Sequence, residues 1–222
     1  MGRRIGGAGG GSDKGSGGGG AVAAAVLAGA IAVSGGGAGA ASSAGAAALD
    51  SAAGLQRIHV NTTKAKKPAS RGREGEAWSR MALKPIKNPR VRSAVQCAVH
   101  SHGQVREFFI HTPCRSLQRK LLALVDEQGN IILVSIAWVR MSSTSSAREF
   151  KELIDIYGTG DVSPLAGELL GLNGIKFTGK HYDSRKARTL VVIAETESVS
   201  GQPHPELLDS IAEVAVLLPP LS

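Results

Sequence analysis

The apolar positions of the chain follow two periodicities, and one strand-like run organises the rest. Residues 131–139 read I-I-L-V-S-I-A-W-V, interrupted only by Ser135. So continuous a run suits a central strand covered on both faces, because a one-sided strand would alternate apolar with polar positions. The run is too short to cross a bilayer, and its Ile and Val content disfavours a helix. Residues 117–125 form a second run, and the connection 126–130, which contains Gly129, joins the two as a β-hairpin. A second hairpin is expected from 175–182 and 188–196, turning through residues 183–187.

The helical period appears around these hairpins. Ser101 with Gln104 forms a capping-box pattern that starts a helix at His102, with Val105, Phe108 and Phe109 on its apolar side. Ser146 with Glu149 repeats the pattern and opens a helix that places Phe150, Leu153, Ile154 and Tyr157 on one face before Gly158. Pro205 suits a first helical position, Leu207, Leu208, Ile211 and Val214 make the stripe, and Pro219 and Pro220 end it. The order helix, hairpin, helix, hairpin, helix predicts an α+β fold. In it, a four- or five-stranded antiparallel sheet built from two β-hairpins carries helices on one face, preceded by a low-complexity N-terminal region. Phe108, Leu124, Val134, Trp138, Phe150, Val192 and Ile211 are the expected core.

Composition divides the chain into three parts. Residues 1–54 hold 18 glycines and 17 alanines, too little side chain to offset the entropy of ordering. Within this leader, residues 21–33 (A-V-A-A-A-V-L-A-G-A-I-A-V) carry no charge and no proline. That length fits the core of a secretory signal, and Ala38 and Ala40 supply small residues where a signal peptidase cleaves. The same stretch also reads as a weak membrane anchor or as plain low complexity. Residues 55–90 read as a basic linker with a short helix at 74–83, where Ala77, Trp78 and Met81 share a side. Across residues 55–92 there are 11 Lys or Arg against 2 Glu, whereas residues 93–222 carry a net charge of −2. The high pI therefore belongs to the linker, and residues 91–222 form the domain. A charge run of this kind could meet nucleic acid or an anionic membrane surface. Without interleaved aromatics it reads better as a solvated spacer.

Cys97 and Cys114 are the only cysteines. In an exported protein such a pair reads as one disulfide, the alternative being two buried free thiols. A helix begun at His102 spans roughly 13 Å, short enough for the flanking residues to fold back and bring the thiols together. His100, His102 and His111 lie between the cysteines, but the spacing matches no finger or ribbon, so no metal and no cofactor is assigned. Residues 158–162 (G-T-G-D-V) follow a helix and lack a Lys, which excludes a phosphate loop and leaves a helix stop with an Asp cap. Lys176, Lys180, Arg185, Lys186 and Arg188 crowd the second hairpin and make a candidate anion-binding group, the competing reading being a solvated hairpin tip.

Several stretches resemble an uncharacterised group of bacterial proteins. They are C-A-V-H-S-H-G-Q-V-R-E-F-F at 97–109, T-P-C at 112–114, V-S-I-A-W-V at 134–139, G-T-G-D at 158–161 and F-T-G-K-H-Y at 177–182. The resemblance spans about residues 70–220. It implies a short N-terminal apolar segment joined to one small two-cysteine α+β domain, and it favours a paired role for Cys97 and Cys114. It carries no activity with it. The expected function is an exported or membrane-tethered, non-enzymatic binding or structural module. Two other classes compete: a hydrolase using His100, His102 or His181 with Asp183, and a cytoplasmic nucleic-acid binder working through the basic linker. The partner expectation extends no further than an anionic ligand or membrane surface.

Overall fold

The computed structural model describes residues 43–172 and 174–221. The apolar segment 21–33 and the signal or anchor reading attached to it lie outside these residues. The strands are β1 (Lys84–Pro85), β2 (Arg90–Ala94), β3 (Ser116–Val125), β4 (Ile131–Arg140), β5 (His181–Ala187) and β6 (Leu190–Ser200). The helices are α1 (Ser43–Ser70), α2 (Glu74–Arg80), α3 (Gly103–His111), α4 (Thr144–Ile154) and α5 (Pro205–Ala215). The strands form one antiparallel sheet in the order β1-β3-β4-β6-β5, and β2 also pairs with β3. The α+β class and a sheet built on two hairpins are thus as expected. Two features differ: the sheet has six strands, because β1 and β2 extend it, and helices cover both of its faces.

The apolar run at β4 explains the second difference. Ile132, Val134, Ile136 and Trp138 point to one face and meet residues of α1, α2 and α5. Ala137 and Val139 point to the other and meet Val105 and Phe109 of α3 with Ala147, Phe150 and Ile154 of α4. Farther along that second face, Leu165, Leu170 and the neighbouring Ile175 and Phe177 cover Leu121, Ala123 and Leu133. Of the seven expected core residues, six are buried and Phe108 is half-buried, its ring stacked on Phe150 at 5.8 Å.

The segment read as a spacer is folded. Thr62, Ala65 and Ala69 of α1 are buried, and Trp78 of α2 has 0% exposure beside Met81 and Leu83. Basic side chains dominate the composition here, but they occupy the exposed side of α1, while its alanines allow close approach to α2 and α5. Two ion pairs tie the segment to the sheet and α5: Glu74 with the buried Lys120, and Lys66 with Glu213 at 2.6 Å. Helix α1 also begins at Ser43, inside the Gly/Ala-rich leader. Among the described residues no helix is long and apolar enough to cross a membrane.

Local signals account for most boundaries. The β3–β4 turn is closed by Asp126, whose Oδ1 accepts from the backbone N–H of Gln128 at 2.9 Å and of Asn130 at 2.8 Å. Helix α5 starts at Pro205 with His204 Nδ1 accepting from the Glu206 N–H. Helix α4 is capped by Ser143 and Ser146, not by the expected Ser146 and Glu149. In α3, Ser101 forms no box with Gln104, because its hydroxyl donates to the Cys97 carbonyl. The second hairpin lies later in the chain than expected. Its strands are β5 and β6, and its turn is at Arg188 and Thr189, so Ile175 and Phe177 belong to a covering loop.

Candidate functional site

Two chain segments far apart in sequence cross on the second face of the sheet. Residues 100–104 run antiparallel to residues 159–163: the His102 N–H donates to the Asp161 carbonyl at 3.0 Å, the Gln104 N–H to Thr159 at 2.7 Å and the Ser163 N–H to His100 at 2.8 Å. Gly103 and Gly160 meet at the crossing with φ of 62° and 105°. A Cβ on Gly103 would lie 2.6 Å from the Thr159 carbonyl, and one on Gly160 would lie 2.9 Å from the Gly103 Cα. Only glycine at both positions satisfies this backbone contact and the positive φ. The motif at 158–161 thus serves a crossing as well as the stop after α4.

The disulfide fastens one arm of that crossing. Cys97 and Cys114 are bonded, with their Cα atoms 6.0 Å apart and the chain between them holding a 3-10 turn (Ala98–His100) and α3. The expected geometry holds: the helix starts late enough for the flanking residues to fold back. Cys97 belongs to the same buried cluster as Val105, Phe109 and Phe150.

Beside the crossing lies a cleft of about 310 Å³, lined by residues that include His102, Tyr157, Asp161, Phe177, Thr178 and Glu195. Two carboxyl-bearing residues in it are largely buried: Asp161 is 8% and Glu195 5% exposed. Each has a structural basis. Asp161 accepts from the Val162 N–H through its side chain. Glu195 sits on β6 opposite Ser135 of β4 and Tyr182 of β5, at a position whose side chain faces this side of the sheet. Thr159 fixes the loop by donating to the Leu153 and Ile156 carbonyls, both at 2.9 Å. The arrangement suits a small polar or cationic group held between carboxylates and aromatic rings.

The remaining candidate residues are dispersed. His100 is on the 3-10 turn, and burial first, then the Arg119 guanidinium, holds its pKa below the ordinary histidine value. His102 lines the cleft, and His111 ends α3. Both cysteines are bonded to each other, which removes two thiolates from any ligand set, and among the described residues no three His, Cys, Asp or Glu gather as a metal site. His181 pairs with Asp209 at 2.8 Å rather than with Asp183, locking β5 to α5. Burial pushes the Asp183 carboxyl above the usual range, with Glu213 adding to the shift and the Ser184 N–H opposing it.

The five basic residues of the second hairpin are not gathered on one surface. Lys176 and Lys180 precede β5, Arg185 and Lys186 are neighbours on β5 and so face opposite sides of the sheet, and Arg188 is in the turn.

Sequence reasoning passed over Glu195 and the glycine crossing. Glu195 directly follows the apolar run L-V-V-I-A at 190–194 of β6 and alternates with Val191 and Ile193, and an acid at such a position is the signal that could have found it. The family models, the curated proteins and the solved structures compared with this chain gave no match.

Proposed function

We propose that the chain is an exported or membrane-tethered binding or structural module without catalytic activity, and that the cleft beside the crossing is its ligand-facing surface. The observation that carries this reading is the Cys97–Cys114 disulfide. Such bonds persist in oxidising compartments and are rare in the reducing cytosol. The apolar segment at 21–33 supplies the export signal or anchor, and α1 leads from the Gly/Ala-rich leader into the domain. Rigidity at the crossing favours a preformed site that selects its ligand without large rearrangement. Fractionating the native cells tests the proposal. The protein should accompany the membrane or secreted fraction and be open to protease added from outside. Recovery solely in the cytosol would overturn it.

A hydrolytic enzyme is the second reading. It is favoured by the placing of His102 with Asp161 and Glu195 around one cleft. Replacing His102 with Ala separates the two: an enzyme of this type loses turnover of its substrate, whereas the binding module keeps its fold and changes affinity alone.

A further inference from the structure

We infer that the outer edge of β2 is a docking strand for an extended, acidic segment of a partner protein. β2 pairs with β3 on one side, and among the described residues no strand lies on the other. Half of its backbone N–H and C=O groups therefore point outward, where an added strand would complete their hydrogen bonds. The edge is held firmly enough to act as a template. Its start is fixed by Arg90, whose Nε donates to the Leu169 carbonyl at 2.8 Å, and Cys97 fastens the chain just beyond its end.

The charge on this edge is one-sided. Between Glu76 and Glu107 there is no acidic residue, while Arg80, Lys84, Lys87, Arg90, Arg92 and Arg106 lie in that interval. Lys84, Lys87, Arg90 and Arg92 are exposed, and none of the four is in an ion pair among the described residues. Arg90 and Arg92 alternate to one face, and Arg92 stands directly opposite Arg119, whose buried Nε has no hydrogen-bond acceptor. Like charges in opposed positions disfavour a strand pair, and acidic side chains on an added strand would offset that repulsion. Exposed apolar side chains flank the strand, Ile86 before it and Val95 and Val99 after it, the last two 74% and 69% exposed. Next to Arg90, a hollow that also involves Lys87, Asn88 and Gly171 carries no acid among its lining residues and can take a carboxylate. The chemistry recognised is therefore an extended chain with acids at alternate positions and apolar residues at its ends.

Arginines on an edge strand also guard against edge-to-edge aggregation, and a basic strip attracts any polyanion. The test separates these from docking. A fluorescent peptide of alternating Glu and Val is titrated with the full-length chain and followed by anisotropy. Docking predicts saturable binding that falls about tenfold in the double variant Lys87→Glu, Arg92→Glu, which leaves the Arg90 anchor in place, with the far-UV spectrum and melting temperature of the protein unchanged. A peptide of equal charge, N-methylated at alternate residues, cannot complete the ladder and should bind about tenfold more weakly. No binding of the first peptide, equal binding of the methylated one, or equal binding of a single-stranded oligonucleotide of the same charge would each overturn the inference. The outcome does not depend on the compartment proposed above.

Discussion

Replacing Trp78 with Ala probes the part of the fold that composition most obscures. Trp78 has 0% exposure and packs with Ala65, Ala69, Trp138 and Leu218 in the cluster beneath the sheet. Truncating a buried Trp to Ala costs about 3–5 kcal/mol through lost transfer energy and the cavity left behind. The indole Nε1 also donates to Glu74 Oε1 at 3.2 Å. Loss of that hydrogen bond adds roughly 1 kcal/mol at most, because Glu74 keeps its pairing with Lys120. The total is about 3–6 kcal/mol, or a fall in melting temperature of roughly 6–24 °C for a domain of this size. Urea denaturation measures it: the midpoint should fall while the slope stays near the wild-type value. Leu55→Ala, at an exposed position of α1, serves as the control and should stay within about 0.5 kcal/mol. A Trp78→Ala loss under about 1 kcal/mol would refute the reasoning and return residues 55–90 to the role of a spacer.

Other variants test the local arguments. Gly160→Ala should destabilise by about 2–4 kcal/mol, because its Cβ enters the His102 and Gly103 backbone. Gly158→Ala, with φ of 90° and open space around it, should cost only about 1–2 kcal/mol; equal losses by thermal melting would contradict the crossing. Ala82 holds a left-handed φ of 60° after α2, so Ala82→Gly should stabilise by roughly 0.5–1 kcal/mol in the same assay, and a loss would show that strain is absent there. Asp183→Asn should raise stability at neutral pH. A carboxyl whose folded pKa is raised keeps its proton longer in the native state, so its contribution falls as pH rises through the interval above the usual Asp value. The gain from Asn should therefore shrink as pH drops below that interval, and a gain independent of pH would disprove the assignment.

Which features were legible depended on how strongly side-chain type varied with position. β4 was plain because its apolar run is continuous, and that continuity also implied cover on both faces. Helix α5 was plain because Pro205, the leucine stripe and the closing prolines all agree. Helix α1 was obscured: its buried positions are Thr62, Ala65, Pro68 and Ala69, whose small side chains give little periodic contrast against many lysines. The second hairpin slipped because Ile175 and Phe177 look like strand residues but pack down as a covering loop, while the polar run H-Y-D-S-R-K-A forms β5. There the cross-strand pairing with β6, and not propensity, decides the structure. At the site, spacing and helix length made the Cys97–Cys114 pairing feasible and the resemblance favoured it, with two buried free thiols as the alternative that the structure removes. The close approach of Gly103 to Gly160 did not, since each glycine has a sufficient local explanation as a helix boundary and the contact arises only in the tertiary fold.

The central claim is that the domain functions with its Cys97–Cys114 bond closed, outside the reducing cytosol. The bond closes a loop across 17 positions, and opening it should lower stability by about 2–4 kcal/mol without unfolding a core of this size. Protein taken from its native compartment into acid, alkylated without reductant and weighed by mass spectrometry gives the decisive reading. The account predicts no alkyl group before reduction and two after it. Two alkylated thiols on the unreduced native protein would contradict it.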